Sequence, residues 1–494
     1  MATSKVKKTK SNKSSERLSG WDFATWRSAT EDQMLRSTMT ALYMLDRAPD
    51  WDRLVDRYDR ASRLIPILRK KVIEGPVAIA NPRLVVDENF DLSFHMRRFT
   101  MPAGSTFDDV LEDARRQSMT DFDRDRSLWK VTVLEGLPGG RAAMIFKLHH
   151  AIADGQGALQ LGAALVDLDA VGMDQGPMPA APEASDLSAR DFGRTMVKEN
   201  AAWVASAATD VVKGAVPTAV SAVKAPKETV SKVVKTAQSL IKYAQVASEP
   251  ASPIMSGRSV NYHFAAFEFP FENIRGKAKE NGHTANDVFL ASIASGMELY
   301  HRKHNAPVDA LHIGMPISTR KAPGDSGNAV GIAHFDLPLN EPDADKLMDH
   351  LHEVVAEWRA EPVIGFSDPL GELSRFIPTG MVVSAANAND LTASNVPGPP
   401  FELWLAGAKI EHVVPLPPLI GAGVFVAMLT YNKVACIGLA IDDAAAPDRD
   451  VLIDCMAEGF AQVTGKPVKL GGFDVVAKVP AQKSKPKSAT KTTA

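Results

Sequence analysis

The sequence predicts an α+β protein of two domains joined by a helical linker, on three observations. The chain has 494 residues, more than one hydrophobic core ordinarily organises. Strand-like and helix-like patterns are mixed in both halves, without the regular strand–helix–strand order of a parallel doubly wound sheet. Between the halves, roughly residues 189–247, runs an Ala/Val/Lys-rich stretch with helical periodicity. The expected organisation is a basic tail (1–17), a first domain (18–186), an amphipathic helical linker (187–256), a second domain (257–473) and a second basic tail (474–494).

In the first domain Thr38–Leu45 alternates as a strand. Asp52–Lys71 reads as a helix, with Leu54, Tyr58, Ala61 and Leu64 near helical spacing. Thr106–Met119 reads as another, with Thr106 as N-cap ahead of Asp108 and Asp109. Trp129–Leu134 and Ala142–Leu148 form a hairpin about Pro138-Gly139-Gly140. A helix is expected from near Gly155, with Leu159, Ala163 and Val166 facing inward. In the linker Val230, Val233, Val234, Ala237, Leu240, Ile241 and Ala244 make one apolar stripe, with Lys232, Lys235 and Lys242 off it. That pattern fits a connector packed on the body or an element lying on lipid. In the second domain Val260–Phe269, Leu311–Ser318 and Val330–Leu337 read as strands. Ala285–Arg302, Asp343–Trp358 and Asp450–Phe460 read as helices. Val424–Tyr431 and Val434–Ile441 form a last hairpin.

Composition narrows the class. With 45% hydrophobic and 23% charged residues the chain resembles a soluble globular protein. Its two cysteines, Cys436 and Cys455, sit in apolar surroundings, which argues against a disulfide framework. Each end carries +5 within a chain of net charge −3, which leaves −13 on the body. An acidic body disfavours nucleic acid as a partner. Basic tails suit a solubilising role or contact with anionic lipid. The first twenty residues lack the apolar core of a secretory leader. Leu419–Ile441, the most apolar window, is interrupted by Asn432-Lys433 and reads as a hairpin. The expectation is a cytoplasmic protein that does not cross a membrane, with attachment to the inner membrane face or to lipid droplets left open.

The chemistry concentrates at His149-His150-Ala151-Ile152-Ala153-Asp154-Gly155. Two histidines ending a strand point to opposite faces, so they do not suit joint metal binding. The cysteines offer no zinc spacing, and no metal is expected. A histidine titrating near neutrality suits general-base work on a hydroxyl or a thiol. No Gly-x-Ser-x-Gly elbow is present, and neither cysteine has the electropositive setting of a reactive thiolate. Direct attack by a substrate group, deprotonated by His150, is favoured over a covalent acyl-enzyme.

These seven residues match the His-His-x-x-x-Asp-Gly signature of the chloramphenicol-acetyltransferase-like superfamily. Asn286-Asp287-Val288, Ser394-Asn395-Val396-Pro397-Gly398-Pro399, Leu403-Trp404-Leu405-Ala406-Gly407-Ala408 and Leu429-Thr430-Tyr431-Asn432 follow in order. Together they resemble the bacterial wax ester synthase/diacylglycerol acyltransferase family over about Leu18–Phe460. The resemblance implies two similar α+β domains with the active site in a tunnel at their junction. It implies long-chain acyl-CoA as co-substrate, no cofactor, and a diacylglycerol or long-chain alcohol as acceptor. His150 would be the catalytic base, Asp154 and Gly155 would brace its loop, and His149 would be structural or secondary. Asn286 and Asp287 would support the site from the second domain, and Ser394, Asn395, Pro397 and Gly398 would form a shaped loop. Thr430 and Asn286 are candidate oxyanion donors, as is any backbone N–H. The sequence departs from the family at Ser127-Leu128-Trp129, where Pro-Leu-Trp is usual, at Leu18–Asp22, and at Thr430, where serine is more usual. Acceptor preference therefore stays open. The same fold would also serve a carrier-protein-dependent condensation-type acyltransferase, or a non-catalytic lipid-binding protein.

Overall fold

The computed structural model describes residues 17–74, 81–153, 158, 161–183, 247–280, 282–318, 330–366, 371, 374–470 and 475–476. The amphipathic stripe 230–244 and most of both basic tails lie outside these residues.

The first half opens with helix α1 (Gly20–Glu31), whose N-cap Ser19 accepts the Asp22 N–H. Strand β1 (Thr38–Leu45) and helix α2 (Trp51–Leu64) follow. The helix expected to reach Lys71 stops at Leu64. Pro66 disfavours helical backbone at the residue before it, and Ile65 turns out of the helix at φ −119°. The chain passes through a short 3₁₀ turn into β2 (Lys70–Ile73), which pairs with β3 (Arg83–Val86). Next come β4 (Met96–Thr100) and α3 (Phe107–Met119). Thr106 and Asp109 cap α3 reciprocally, each side chain bonding the other's backbone N–H. The hairpin of β5 (Trp129–Glu135) and β6 (Ala142–His149) closes this half's main strands. Beyond it Leu161 and Leu165 are buried, whereas Ala163, expected to face inward, is exposed. The buried stripe is set by the two leucines four apart.

The second half contains β7 (Tyr262–Pro270), α4 (Phe271–Glu280), α5 (Ala285–Lys303), β8 (Ala310–Ser318), β9 (Val330–Pro338), α6 (Ala344–Ala360) and α7 (Thr379–Asn387). β10 (Leu391–Val396), β11 (Trp404–Leu405), β12 (Ala408–Leu416), β13 (Val424–Tyr431), β14 (Val434–Asp442) and α8 (Arg449–Thr464) complete it, with short terminal strands β15 (Lys469–Leu470) and β16 (Val475–Val476). The β13–β14 turn places Asn432 and Lys433 at φ 44° and 67°, as a two-residue hairpin turn requires. No described helix is long and apolar enough to cross a membrane.

Two mixed sheets result. One runs β11-β12-β1-β6-β5-β4, the other β16-β15-β7-β14-β13-β10-β8-β9. The first is completed by β11 and β12, which belong to the second half of the sequence. β12 pairs antiparallel with β1, Thr40 opposite Leu416 through Tyr43 opposite Val413. This strand exchange joins the halves through a backbone ladder as well as through the chain. One core lies within the second half, under α5, α6 and α8. Another lies on the α2 side of the first sheet. A third, with Leu42, Ile145, Phe264, Val414, Phe425 and Ala427, lies where the two sheets face each other. The approach there is close. A Cβ on Gly438 of β14 would sit 1.6 Å from the Pro415 carbonyl oxygen of β12.

Candidate active site

β6 is central in its sheet, between β1 and β5, and every residue of it is buried. Its last residue, His149, pairs with Thr38 of β1. The His149 ring packs against Trp26 and Phe122, at 5.5 and 6.0 Å between ring centroids. Its Nδ1 accepts the Ala151 N–H at 3.0 Å, so the neutral ring carries its proton on Nε2. Burial, with the neighbouring His150 as a smaller cause, pushes its pKa down to about 3. His149 is thus a packed, neutral ring that shapes the following turn.

His150 is the first residue beyond the strand. Its N–H donates to the Ser37 carbonyl at 2.8 Å, and the Ile152 N–H returns to the His149 carbonyl at 3.1 Å. His150 is half-buried, while Ala151, Ile152 and Ala153 are buried behind it. These three belong to the same apolar cluster as Leu429 and Tyr431 at the end of β13. The turn is therefore seated where the two halves meet. Asp154 and Gly155 lie outside the described residues.

On the second half, Ser394 and Asn395 are in strand rather than loop. They pair with Ala427 and Met428 of β13, and the loop begins at Pro397. Ser394 lies beside Ala427, whose side chain is in the core between the sheets, whereas Asn395 lies beside Met428, in the second half's own core. The Gly398 N–H donates to the Thr430 hydroxyl at 3.1 Å, and the Asn432 N–H to the Pro399 carbonyl at 3.0 Å. A Cβ on Gly398 would lie 2.2 Å from the Thr430 carbonyl oxygen, so only glycine allows this loop to lie on β13. The Leu403 N–H donates to the Tyr431 hydroxyl, which donates to the Ile410 carbonyl. Thr430 and Tyr431 thus brace the path into the exchanged strands.

Asn286 and Asp287 open α5. Asn286 Nδ2 is 4.0 Å from Met315 Sδ. Asp287 is buried; it accepts the Thr284 N–H and holds His352 Nδ1 of α6 at 2.9 Å. The described contacts of this pair stay within the second half.

Three groups were not singled out from the sequence. Arg53, Arg57, Arg60 and Arg63 line one face of α2. They donate to the carbonyls of Ala170 and Val171, Met173, Gln175 to Pro177, and Pro179 in turn. Their spacing of four, three and three was readable as a basic stripe, but its target was not. Arg57 also pairs with Asp167, which is fully buried and exchanges backbone bonds with Trp404 of β11. Secondly, Arg27 of α1 donates to the Ser374 carbonyl and Glu31 accepts from Thr379, fastening α1 to the start of α7. Thirdly, Glu268, His412 and Cys436 converge from β7, β12 and β14. Burial, with Glu268 alongside, pushes the Cys436 thiol well up, which agrees with its exclusion as a nucleophile.

The described residues thus form two mixed sheets joined by an exchanged strand, with a His-His turn where the halves meet. The family model for the wax ester synthase/diacylglycerol acyltransferase catalytic domain matches residues 18–289, and that for the WS/DGAT C-terminal domain matches residues 326–464. The chain belongs to the wax ester synthase/diacylglycerol acyltransferase family. It is 31% identical to a Mycobacterium tuberculosis protein named provisionally as a diacylglycerol O-acyltransferase, over 87% of this chain and 88% of that one. It is 25% identical to the O-acyltransferase WSD of Acinetobacter baylyi, over 75% and 81%. Its fold resembles that of the wax ester synthase/diacylglycerol acyltransferase from Marinobacter aquaeolei VT8, with TM-score 0.59 and 18% identity over 89% and 98% of the chains. It also resembles a starter condensation domain of rhizomide synthetase solved with C8-CoA, with TM-score 0.58 and 11% identity over 91% and 94%.

Proposed function

We propose that this acyltransferase moves a long-chain acyl group from CoA to the hydroxyl of a diacylglycerol or long-chain alcohol, with His150 as the base. One observation carries the choice of histidine. His149 is buried, neutral and engaged through Nδ1, whereas His150 is only half-buried, on a turn where the halves meet. His150 takes the acceptor O–H proton as the oxygen attacks the thioester carbonyl. The tetrahedral intermediate collapses with loss of the C–S bond, and the proton passes to the departing CoA sulfur. No redox or group-carrying cofactor enters this balance; acyl-CoA is a co-substrate. The intermediate's oxyanion needs a donor, worth about 100-fold or more in rate. Thr430 suits this role: its oxygen accepts from Gly398, which leaves its hydroxyl proton to give. Asp154 and Gly155 would hold the His150 loop.

Peripheral attachment at a cytoplasmic lipid surface fits the same reading. Phe376, Ile377 and Met381, at the start of α7, are 66%, 41% and 63% exposed, an apolar group suited to insoluble substrates.

The test is CoA-thiol release from palmitoyl-CoA with diacylglycerol and hexadecanol as acceptors, and with acyl-carrier protein as an alternative donor. His150→Ala should lose about 100- to 10,000-fold, the usual range for a general base, and remain folded by circular dichroism. Turnover within tenfold of wild type in that variant, or transfer from carrier protein alone, would overturn the proposal.

A further inference from the structure

We propose that Glu268, His412 and Cys436 form a zinc site that staples the exchanged strand β12 to the second sheet. Cys436 and Glu268 are directly opposed in the β14–β7 register, so their side chains share a face. His412 reaches that face from β12, and its Nδ1 lies 2.6 Å from Glu268 Oε2. Cys436 Sγ is 3.8 Å from the same oxygen. All three donor atoms fall within 4.8 Å of one another. Tetrahedral zinc, with bonds of about 2.0–2.3 Å, needs its ligands roughly 3.3–3.8 Å apart. Side-chain adjustments of about 1 Å therefore complete the geometry.

The donor chemistry selects the ion. One imidazole nitrogen, one thiolate and one carboxylate oxygen suit a borderline divalent ion, whereas magnesium and calcium prefer oxygen alone. Beside the three residues, between Met44, Phe107, Ala266 and Val414, is a small cavity with room for one water-sized species, enough for a fourth ligand. Zinc binding releases the thiol proton to solvent. The site is separate from the proposed acyl-transfer centre. His412 is opposite Met44 of β1, and His149 is opposite Thr38. Six strand residues separate them, about 20 Å. The sequence expectation of no metal rested on spacing within single segments; here three strands of two sheets supply one ligand each.

The full-length chain, stripped with chelator and desalted, is titrated with zinc chloride and separately with cobalt chloride. Bound metal is counted by mass spectrometry. One zinc per chain is expected, with a rise in Tm and a thiolate-to-cobalt charge-transfer band. Cys436→Ser should abolish the band and weaken zinc binding at least tenfold. His412→Gln, at a partly exposed position, should weaken zinc binding similarly while the circular dichroism spectrum stays that of wild type. Cys455→Ser should bind as wild type does. Absence of bound zinc in folded wild type overturns the proposal, as does equal zinc content in wild type and both ligand variants. Either result would leave Glu268 and His412 as a close side-chain contact alone.

Discussion

Gly438→Ala tests the strand exchange with one methyl group. The added Cβ would lie 1.6 Å from the Pro415 carbonyl oxygen and 2.8 Å from its carbonyl carbon. Both are backbone atoms, so no rotamer relieves the clash. Ordinary contact begins near 3.4 Å, so β12 and β14 must separate by about 1.8 Å. Overpacking of well-packed interiors costs about 1–3 kcal/mol, occasionally more, and this displacement falls at the upper end. At about 2–4 °C per kcal/mol for a domain of this size, Tm should fall by roughly 6–12 °C. The shift also travels. Pro415 pairs with Ala41, and Ala41 with Phe146 of β6, so it passes toward Ser37 and the His150 turn. A misplacement of about 1 Å at a catalytic group can cost on the order of 100-fold. Differential scanning fluorimetry and thiol-release kinetics read the two effects. Gly276→Ala is the control. It makes the same chemical change in helix α4, where the new Cβ meets nothing within 4 Å, and should stabilise by about 0.5–1 kcal/mol. A Gly438→Ala protein with wild-type Tm and wild-type kcat/KM would refute the packing of β12 described above.

Three further outcomes are expected. His149 has its folded pKa lowered to about 3, so the unfolded state binds its proton first. Stability from this group is fully present above about pH 6.5 and is lost as pH falls toward 3, at about 1.4 kcal/mol per pH unit at most. Urea unfolding at pH 7.0, 6.0 and 5.0 should show a shallower decline in His149→Gln; identical slopes would contradict the buried neutral ring. Asp167→Ala strands the buried Arg57 guanidinium and should cost about 3–5 kcal/mol, whereas Arg57→Met with Asp167→Leu should recover much of it; a coupling energy near zero in the double-mutant cycle counts against the pair. Thr430→Val removes the acceptor of the Gly398 N–H and the proposed oxyanion donor. It should lower kcat by about 100-fold, with Thr430→Ser restoring most of it, and equal activity in all three proteins would remove Thr430 from the mechanism.

Features written in consecutive residues were legible without the structure. The β5–β6 and β13–β14 hairpins, the Thr106 cap of α3 and the spans of α5, α6 and α8 all depend on local backbone preference and short-range periodicity. The His149–His150 pair was legible for the same reason, since a strand end divides two neighbouring side chains between opposite environments. Misreadings came where one residue outweighed the local pattern. Pro66 stopped α2 against its apolar spacing, and Ser394 and Asn395 joined a strand whose pairing is with β13 rather than with near neighbours.

What the sequence by itself determined is the α+β class, most of the element spans, the family, and the segment that carries the His-His motif. Tertiary structure decided which histidine is packed into the core, because the burial of His149 depends on Trp26 and Phe122 from elsewhere in the first half. It alone placed β12 in the sheet of the other half, and so made Gly438 obligatory. It alone brought Glu268, His412 and Cys436 together, across separations of up to 168 residues. Periodicity along a chain records which face of an element is apolar. It holds no term for which distant element covers that face, and the grouping of polar side chains follows from that second choice.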